Sequence, residues 1–239
     1  MIRTAARGLG ELFITAGLVL LLFVAWQLWW TDVVADRAQA EITENLTDQW
    51  GDGNRETGPP AEPAQDFGPP PELAQAADGE PFAILRIPSF GPGWQERPIL
   101  QGTSLDLLED GVGHYDDDVV PGGSAMPGGV GNFAVAGHRV TYGRPFNQIA
   151  ELQPGDPIVV ETADSWYVYR MRSSTIVTPN RVDVVAPVPE QPDAVPTERL
   201  MTLTACHPMY SARERFIVYA AMESWQPKSA GEPPALAAG

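Results

Sequence analysis

Residues 200–206 read Leu-Met-Thr-Leu-Thr-Ala-Cys, and residues 215–222 read Arg-Phe-Ile-Val-Tyr-Ala-Ala-Met. Both stretches are short and rich in β-branched and aromatic residues, so each predicts a β-strand. Only nine residues separate Ala205 from Arg215. An antiparallel pairing would therefore set the start of the second strand beside the end of the first, with Arg215 next to Cys206.

Six more stretches have the same strand-like character, and turns rich in Gly and Pro separate them. They are residues 83–87, 98–101, 132–137, 157–162, 166–173 and 174–178. Eight short strands at this spacing predict an all-β domain, a closed or nearly closed eight-stranded barrel, in preference to an α/β sheet. Short helices are expected only at 104–109 and 145–152. The 24 Pro and 23 Gly also argue against an all-α bundle.

An apolar segment near the N-terminus predicts one transmembrane helix. Residues 12–30 carry no charge and, as a helix, would span about 28 Å, enough to cross a bilayer core. Arg3 and Arg7 precede the segment, so the positive-inside rule puts residues 1–11 in the cytoplasm and the rest outside the cell. The alternative is a cleaved signal peptide, for which Ala38-Gln39-Ala40 would be the cleavage pattern.

The charge of the chain is strongly acidic and unevenly distributed. Fifteen Lys and Arg against 31 Asp and Glu give a net charge of -16, which excludes an electrostatically driven nucleic-acid binder. Residues 41–80 hold ten acids and one base, with many prolines. We therefore expect residues 31–80 to be a disordered tether, residues 81–226 to be the folded domain, and residues 227–239 to be a disordered tail.

Cys206 is the single cysteine, so intrachain disulfides and multi-cysteine zinc sites are excluded. One interpretation is that Cys206 is a small apolar side chain buried in the core. Its position at the end of a strand, before a turn-prone stretch, instead favours an exposed thiol at the barrel rim. An unpaired thiol outside the cell is prone to oxidation, so its presence in an exported domain needs a reason, and a nucleophilic role would supply one.

A nucleophilic cysteine needs a base or a cationic neighbour, and the chain has three histidines. His138 ends the predicted strand 132–137 and so has the same strand-to-rim position as Cys206. His207 follows Cys206 directly, and alternation along a strand would point it to the opposite face. His114 precedes three aspartates and is expected in a solvent loop. We therefore favour His138 as the catalytic partner.

A thioester-forming enzyme also needs donors for the oxyanion of its tetrahedral intermediates. Arg215 and Arg213 share the same parity relative to Cys206. The hairpin places Arg215 on the paired strand and Arg213 in the connecting loop, so Arg215 is the favoured residue.

Together these motifs resemble the sortases, the membrane-anchored cysteine transpeptidases of Gram-positive bacterial surfaces. Thr-Leu-Thr-Ala-Cys at 202–206 is similar to the family's TLxTC strand, and Arg215 opens a similar Arg-x-hydrophobic stretch. The stretches around His138 and Cys206 are most similar to the class E branch of actinobacteria, with class D as the nearest alternative. The remaining stretches that carry the resemblance are 85–88, 113–115, 136–139, 141–143 and 206–208.

The resemblance implies that Cys206 attacks the Thr–Gly carbonyl of an LAxTG-like or LPxTG-like sorting signal on a surface protein. Arg215 would hold the substrate and its oxyanion, and His138 would protonate the departing amine. An amine of a peptidoglycan precursor would then take the acyl group, without any metal or cofactor. Expected substrate contacts are Thr141, Tyr142, Thr204 and Ala205. At Ala205 the sequence departs from the family, which usually has threonine there.

Two alternatives remain at this point. An L,D-transpeptidase is also an exported cysteine enzyme of the cell wall, but its Ser-x-Gly-Cys signature is missing around Cys206. A catalytically degenerate barrel that serves as a membrane-tethered adaptor is the non-enzymatic alternative, and Ala205 is the feature in its favour. The acidic run 116–118 suggests calcium, yet it lacks a defined ligand spacing and is read as a solvated loop.

Overall fold

The computed structural model describes residues 2–51, 66–121 and 123–238. These residues form two α-helices, eight β-strands and several short 3₁₀ turns. The helices are α1 (Ile2–Trp50) and α2 (Leu105–Asp110). The strands are β1 (Pro81–Arg86), β2 (Arg97–Gln101), β3 (Val112–His114), β4 (Gly131–Ala136), β5 (Pro157–Glu161), β6 (Ser165–Val177), β7 (Arg199–His207) and β8 (Glu214–Pro227).

The eight strands close into one barrel in the order β1-β2-β3-β4-β7-β8-β6-β5. The pairs β2/β3 and β4/β7 are parallel, and the other six pairs are antiparallel. The predicted all-β barrel is therefore confirmed. Closure removes the exposed edges that an open sheet would present to other chains.

The number of strands is as predicted, but two of the predictions were wrong: two predicted strands form one, and one strand was not predicted. The stretches 166–173 and 174–178 form the single strand β6, which pairs with β8 along its length through two register shifts. Strand β3 was not predicted, because three residues are too few to show alternation. Its parallel pairing with β2 defines it as a strand. Of the expected helices, α2 is present, whereas 145–152 contains only a 3₁₀ turn at Ile149–Glu151.

Alternation along the strands divides the side chains between the barrel interior and its outer face. On β7, Met201, Leu203 and Ala205 join the main core, whereas Thr202, Thr204 and Cys206 have the opposite parity. A second, smaller apolar cluster lies on that outer face. It consists of Val120, Ala134, Val184, Val185 and Ile217, with Tyr115, Val177 and Tyr219 packed against it.

Helix α1 continues far beyond the predicted span, which corrects the expected tether. The apolar residues described within 12–30 are exposed, and this helix is long and apolar enough to cross a membrane. Residues 31–50 are also helical, and Ala35, Gln39 and Leu46 on one of their faces are buried. Asp32 and Asp36 pair with arginines of the barrel region, so this part of the expected tether is fixed to the folded domain.

The segment before β1 also packs against the barrel instead of extending into solvent. Leu73 contacts the main core, and the carbonyl of Gly68 accepts a 2.8 Å hydrogen bond from the indole of Trp225. Phe67 lies against the same indole, with ring centroids 6.0 Å apart. The rest of the predicted tether, residues 52–65, lies outside the described residues.

The C-terminal tail is ordered as well, contrary to expectation. Lys228 is buried and forms a 2.6 Å ion pair with Glu161, which also binds Arg86. The ammonium lies 4.4 Å from the ring of Trp50 at the end of α1. Because both partners of Lys228 are distant in the sequence, composition alone reads this segment as a solvated tail. Ala235 packs beside Trp166.

Candidate active site

Cys206 and Arg215 face each other across the antiparallel ladder of β7 and β8. Directly opposite positions in such a ladder place their side chains on the same face of the sheet. This is the outer face, since the neighbouring residues Ala205 and Phe216 pack into or against the main core. The pairing expected between the end of one strand and the start of the next is thus present.

The parallel ladder of β4 and β7 brings His138 to the same place. Ala136 is the register partner of Thr204, and the amide of Gly137 donates to the carbonyl of Thr204 at 3.1 Å. Strand β4 ends at Ala136, so His138 follows it by two residues, at the same end of the ladder as Cys206. All three candidate catalytic residues therefore lie at one end of the barrel, with Cys206 and Arg215 as ladder partners and His138 just beyond β4.

Cys206 is partly exposed, as a nucleophile must be, and its surroundings include a buried cation. The guanidinium of Arg139 donates to the Cys206 carbonyl at 3.3 Å and to Nδ1 of His207 at 2.7 Å. Burial lowers the pKa of Arg139, and a charge on Cys206 opposes that shift. A cationic side chain therefore lies beside the backbone of the proposed nucleophile.

His138 is half-buried, and its Nε2 has no hydrogen-bond partner among the described residues. Its carbonyl accepts from the amide of Phe146 at 3.0 Å, which fixes the backbone. Burial lowers the pKa of His138 below its usual value, and the nearby carboxylate of Glu109 acts in the opposite direction. A ring nitrogen without a hydrogen-bond partner is available to take up and return a proton.

Arg215 lies on β8, whereas Arg213 is exposed in the connecting loop. One guanidinium nitrogen of Arg215 donates to the carbonyls of Ala212 and Glu214, at 2.9 and 3.0 Å, which tethers the side chain at the start of the strand. The charge of Arg215 also acts on the hydroxyl of Tyr115. Arg215 is therefore on the strand and Arg213 in the loop, as the sequence predicted.

The four expected substrate contacts differ in their surroundings. Thr141 and Tyr142 are half-buried in the loop after His138, and the ring of Tyr142 lies 5.0 Å from that of His138. The hydroxyl of Thr204 is bound to the Tyr115 hydroxyl at 2.9 Å. Ala205 is buried in the core. A side chain that points inward does not reach a substrate on the outer face, so only the Ala205 backbone is available for contact.

The other two histidines, His114 and His207, make contacts that are typical of a structural role. His114 was expected in a solvent loop, but it lies on β3 and is fully buried. Its Nδ1 is 2.8 Å from the side chain of Gln101 and its Nε2 is 3.1 Å from the Ala125 carbonyl. Burial lowers the pKa of His114 to about 4. His207 is the last residue of β7 and packs against Phe216.

Sequence reasoning missed three residues beside the predicted triad. They are Glu109, which acts on His138; Tyr115, which binds Thr204; and Arg139, which binds the Cys206 carbonyl. Arg139 follows His138 directly in the sequence, so a cation beside the candidate histidine could have been noticed. Glu109 and Tyr115 contact residues that are distant in the sequence, so no local pattern predicts them. Within the described residues, no group of three or more His, Cys, Asp or Glu side chains is arranged to hold a metal ion.

Comparison with known sequences identifies the family of the chain. The family model described as the sortase domain matches residues 85–223. Sortase SrtE1 of Streptomyces coelicolor is 42% identical over 236 residues, which cover 97% of this chain and 61% of that protein. The chain thus spans about three fifths of the length of this relative.

Solved structures show the same fold. The SrtA sortase of Actinomyces oris has a TM-score of 0.65 and 40% identity, covering 71% of this chain and 94% of that one. Sortase E1 of Streptomyces coelicolor, solved with a tripeptide in its active site, has a TM-score of 0.60 and 42% identity, covering 67% and 99%.

Proposed function

This chain belongs to the sortase family, whose members are cysteine transpeptidases, and we propose that it transfers surface proteins from a sorting signal to a cell-wall amine through a thioester on Cys206. The observation that carries the proposal is the convergence of Cys206, Arg215 and His138 at one end of the barrel. The first two are ladder partners, and the third lies two residues beyond β4, the strand that pairs with β7. The similarity to sortases E of Streptomyces agrees with the class E resemblance of the motifs.

In the proposed reaction, the thiol proton of Cys206 passes to His138, and the sulfur attacks the threonine carbonyl of the Thr–Gly bond in an LAxTG-like or LPxTG-like signal. Arg215 donates hydrogen bonds to the oxyanion. Collapse of the intermediate breaks the C–N bond, and the glycine amine leaves with the proton from His138. The acceptor amine then attacks the thioester, gives a proton to His138 and releases the Cys206 thiolate. Water in place of the amine would make the reaction a hydrolysis.

We propose that three side chains contact the sorting signal: Thr141 and Tyr142, in the loop after His138, and Thr204 on β7. Thr204 already donates to or accepts from Tyr115, and its hydroxyl lies 3.3 Å from the Val135 carbonyl, so its role includes supporting this wall of the site. Ala205 contributes its backbone. The methyl group of Ala205 lies in the core, so the difference from the usual threonine gives little support to a non-catalytic adaptor.

We further propose that residues 12–30 anchor the protein in the cell membrane as a single span, with residues 1–11 in the cytoplasm and the barrel outside. The exposure of the described apolar residues in this part of α1 supports the span. Arg3 and Arg7 support the orientation. Asp32 and Asp36 add nothing to the orientation argument, because acids contribute little to topology and both pair with arginines here.

The test uses the full chain in detergent micelles with quenched LAxTG and LPxTG peptides, with and without an amine acceptor. We expect cleavage of one peptide, formation of the amide product when the amine is present, and a covalent adduct by mass spectrometry. Cys206→Ala should abolish the adduct with little effect on folding, because the thiol is not part of the core. An adduct on the Cys206→Ala variant would contradict the assignment of the nucleophile.

A further inference from the structure

The second half of α1 reaches into the neighbourhood of the catalytic loop. Gln39 on this helix is fully buried. Its amide nitrogen donates to the carbonyl of Tyr142 at 3.0 Å and to the carbonyl of Glu109 at 2.9 Å. Its amide oxygen accepts from the guanidinium of Arg97 at 2.8 Å. One helix side chain therefore joins the loop after His138, the end of α2 and strand β2.

Arg97 extends this contact from β2. Its side chain is almost fully buried and binds Asp36 at 2.8 Å and the carbonyl of Gly143 at 2.6 Å. Asp32 forms a further ion pair with Arg144, at 3.2 Å. Buried charge-assisted hydrogen bonds are stronger than neutral ones, and losing one partner leaves an uncompensated charge. Asp36 and Gln39 thus bind Nη1 of a buried arginine whose Nη2 holds the loop.

The loop needs such support because of its backbone conformation. Tyr142, Gly143 and Arg144 are consecutive residues with positive φ, at 53°, 71° and 49°. Non-glycine residues rarely adopt this region, and they persist there only when surrounding contacts impose it. Two carbonyls of this stretch, those of Tyr142 and Gly143, are the ones bound by Gln39 and Arg97.

The approach of helix and loop is also close. A Cβ added at Gly143 would lie 2.7 Å from a carboxylate oxygen of Asp36 and 2.8 Å from the guanidinium of Arg97. Within the same loop region, the ring centroid of Tyr142 lies 5.0 Å from that of His138. Contacts from α1 therefore reach His138 through a single intervening residue.

We propose that residues 31–50 of α1 are a positioning element of the active site, in which Asp36 and Gln39 hold the loop 139–144 and thereby orient His138. This proposal rests on the assignment of His138 as the general acid and base. It makes the membrane helix and the catalytic loop parts of one rigid unit. Gln39 lies nine residues beyond Trp30, or about 14 Å along the helix, so the site would work close to the membrane surface.

The first test compares Gln39→Ala and Asp36→Asn with Glu41→Gln, an exposed acid on the same helix. Full-length protein in detergent micelles is assayed with a cleavable sorting peptide, and the three histidines are titrated by NMR with ¹³C-labelled imidazoles. We expect Gln39→Ala to lower kcat by about tenfold or more, since small displacements of catalytic groups are costly. Asp36→Asn should lower it less, and Glu41→Gln should match the wild type.

The titration separates positioning from general damage. Freed from the loop contacts, His138 should become more solvated, so its pKa should rise toward 6.5, the ordinary value, in Gln39→Ala. The pKa of the core residue His114 should stay at about 4. A lowered kcat with His138 titrating as in the wild type would overturn the proposal. Wild-type kcat and titration in both Gln39→Ala and Asp36→Asn would overturn it too.

A second pair of variants approaches the contact from the barrel. Gly143→Ala places a methyl group against Asp36, whereas Gly155→Ala carries the same kind of backbone strain, at φ +98°, with no atom within 4 Å of the added Cβ. We expect Gly143→Ala alone to lower kcat and to move the His138 titration. Equal effects of the two substitutions would overturn the proposal. The titration needs no substrate, so failure of the wild type to process either peptide would count against the proposed function alone.

Discussion

Cys206 and Arg215 are direct partners across the β7/β8 ladder, with Arg213 outside it in the loop. A guanidinium fixed by a strand can make bidentate contact with a developing oxyanion, whereas one on a loop loses side-chain entropy when it does so. The two arginines share the same parity, so position within the hairpin distinguishes them.

Replacing each arginine by lysine keeps the charge but removes the planar fork. We expect Arg215→Lys to lower kcat/KM by roughly 10²-fold or more, the scale of losing one oxyanion donor. Arg213→Lys should change it only a few-fold. Steady-state kinetics with one sorting peptide measure both values, and a larger loss at Arg213 would reject Arg215 as the oxyanion donor.

His138→Ala should lower turnover by about 10²- to 10⁴-fold, as loss of a general acid and base typically does. His207→Ala should have a far smaller effect, because His207 interacts with Arg139 and not with the proposed reacting atoms. Burst-phase and steady-state rates of both variants provide the measurement. Similar losses at the two positions would remove the basis for choosing His138.

The acid limb of the pH profile of kcat/KM should report His138. The proposed active form of the Cys206–His138 pair carries one proton, and acid adds a second, so activity falls as pH drops through the lower apparent pKa of the pair. Burial lowers the pKa of His138, which places this limb below pH 6.5. The carboxylate of Glu109 raises that pKa, so Glu109→Gln should move the limb to still lower pH.

The matched control for this profile is Asp106→Asn, an exposed acid on the same short helix. It should leave the limb in place. A limb that moves upward in Glu109→Gln, or moves equally in both variants, would contradict the electrostatic role of Glu109.

His114 predicts an acid-dependent loss of stability. Its pKa is about 4 in the folded protein, against 6.5 when solvated, so the unfolded chain binds more protons between these values. The stabilisation is complete above pH 6.5 and is lost as pH falls toward 4, by about 3 kcal/mol in all. Denaturant unfolding of wild type and His114→Gln across this range should show the difference shrinking with acidity. A constant difference would contradict it.

The proposed membrane orientation predicts a specific pattern of proteolysis. Protease added to intact protoplasts should cleave between α1 and the barrel, within residues 51–80, and denaturing electrophoresis should then separate the barrel fragment from a protected N-terminal fragment. Sequencing of the barrel fragment decides the outcome. A secreted domain with a new N-terminus near Ala40 would show a cleaved signal peptide instead, a result that the burial of Gln39 against the barrel argues against.

The sequence by itself determined the features that neighbouring residues control. The β-branched and aromatic content of residues 200–206 and 215–222, with the short connection between them, was enough to predict two strands, their pairing and the proximity of Arg215 to Cys206. The uncharged run 12–30 was enough to predict an apolar helix. Strand β3 was not predicted, because its three residues form a strand only through their pairing with β2 and β4.

The tertiary structure decided how segments distant in the chain meet. The parallel pairing of β4 with β7 brings the end of the strand before His138 to the end of the strand that carries Cys206, which the sequence could only suggest from similar strand-end positions. Composition predicted a disordered tether for residues 31–80, because the charge partners of Asp36 and Asp32, which are Arg97 and Arg144, come much later in the chain. Once folding brings these arginines to the helix, the two acids form ion pairs, and residues 31–50 form a helix that packs against the barrel.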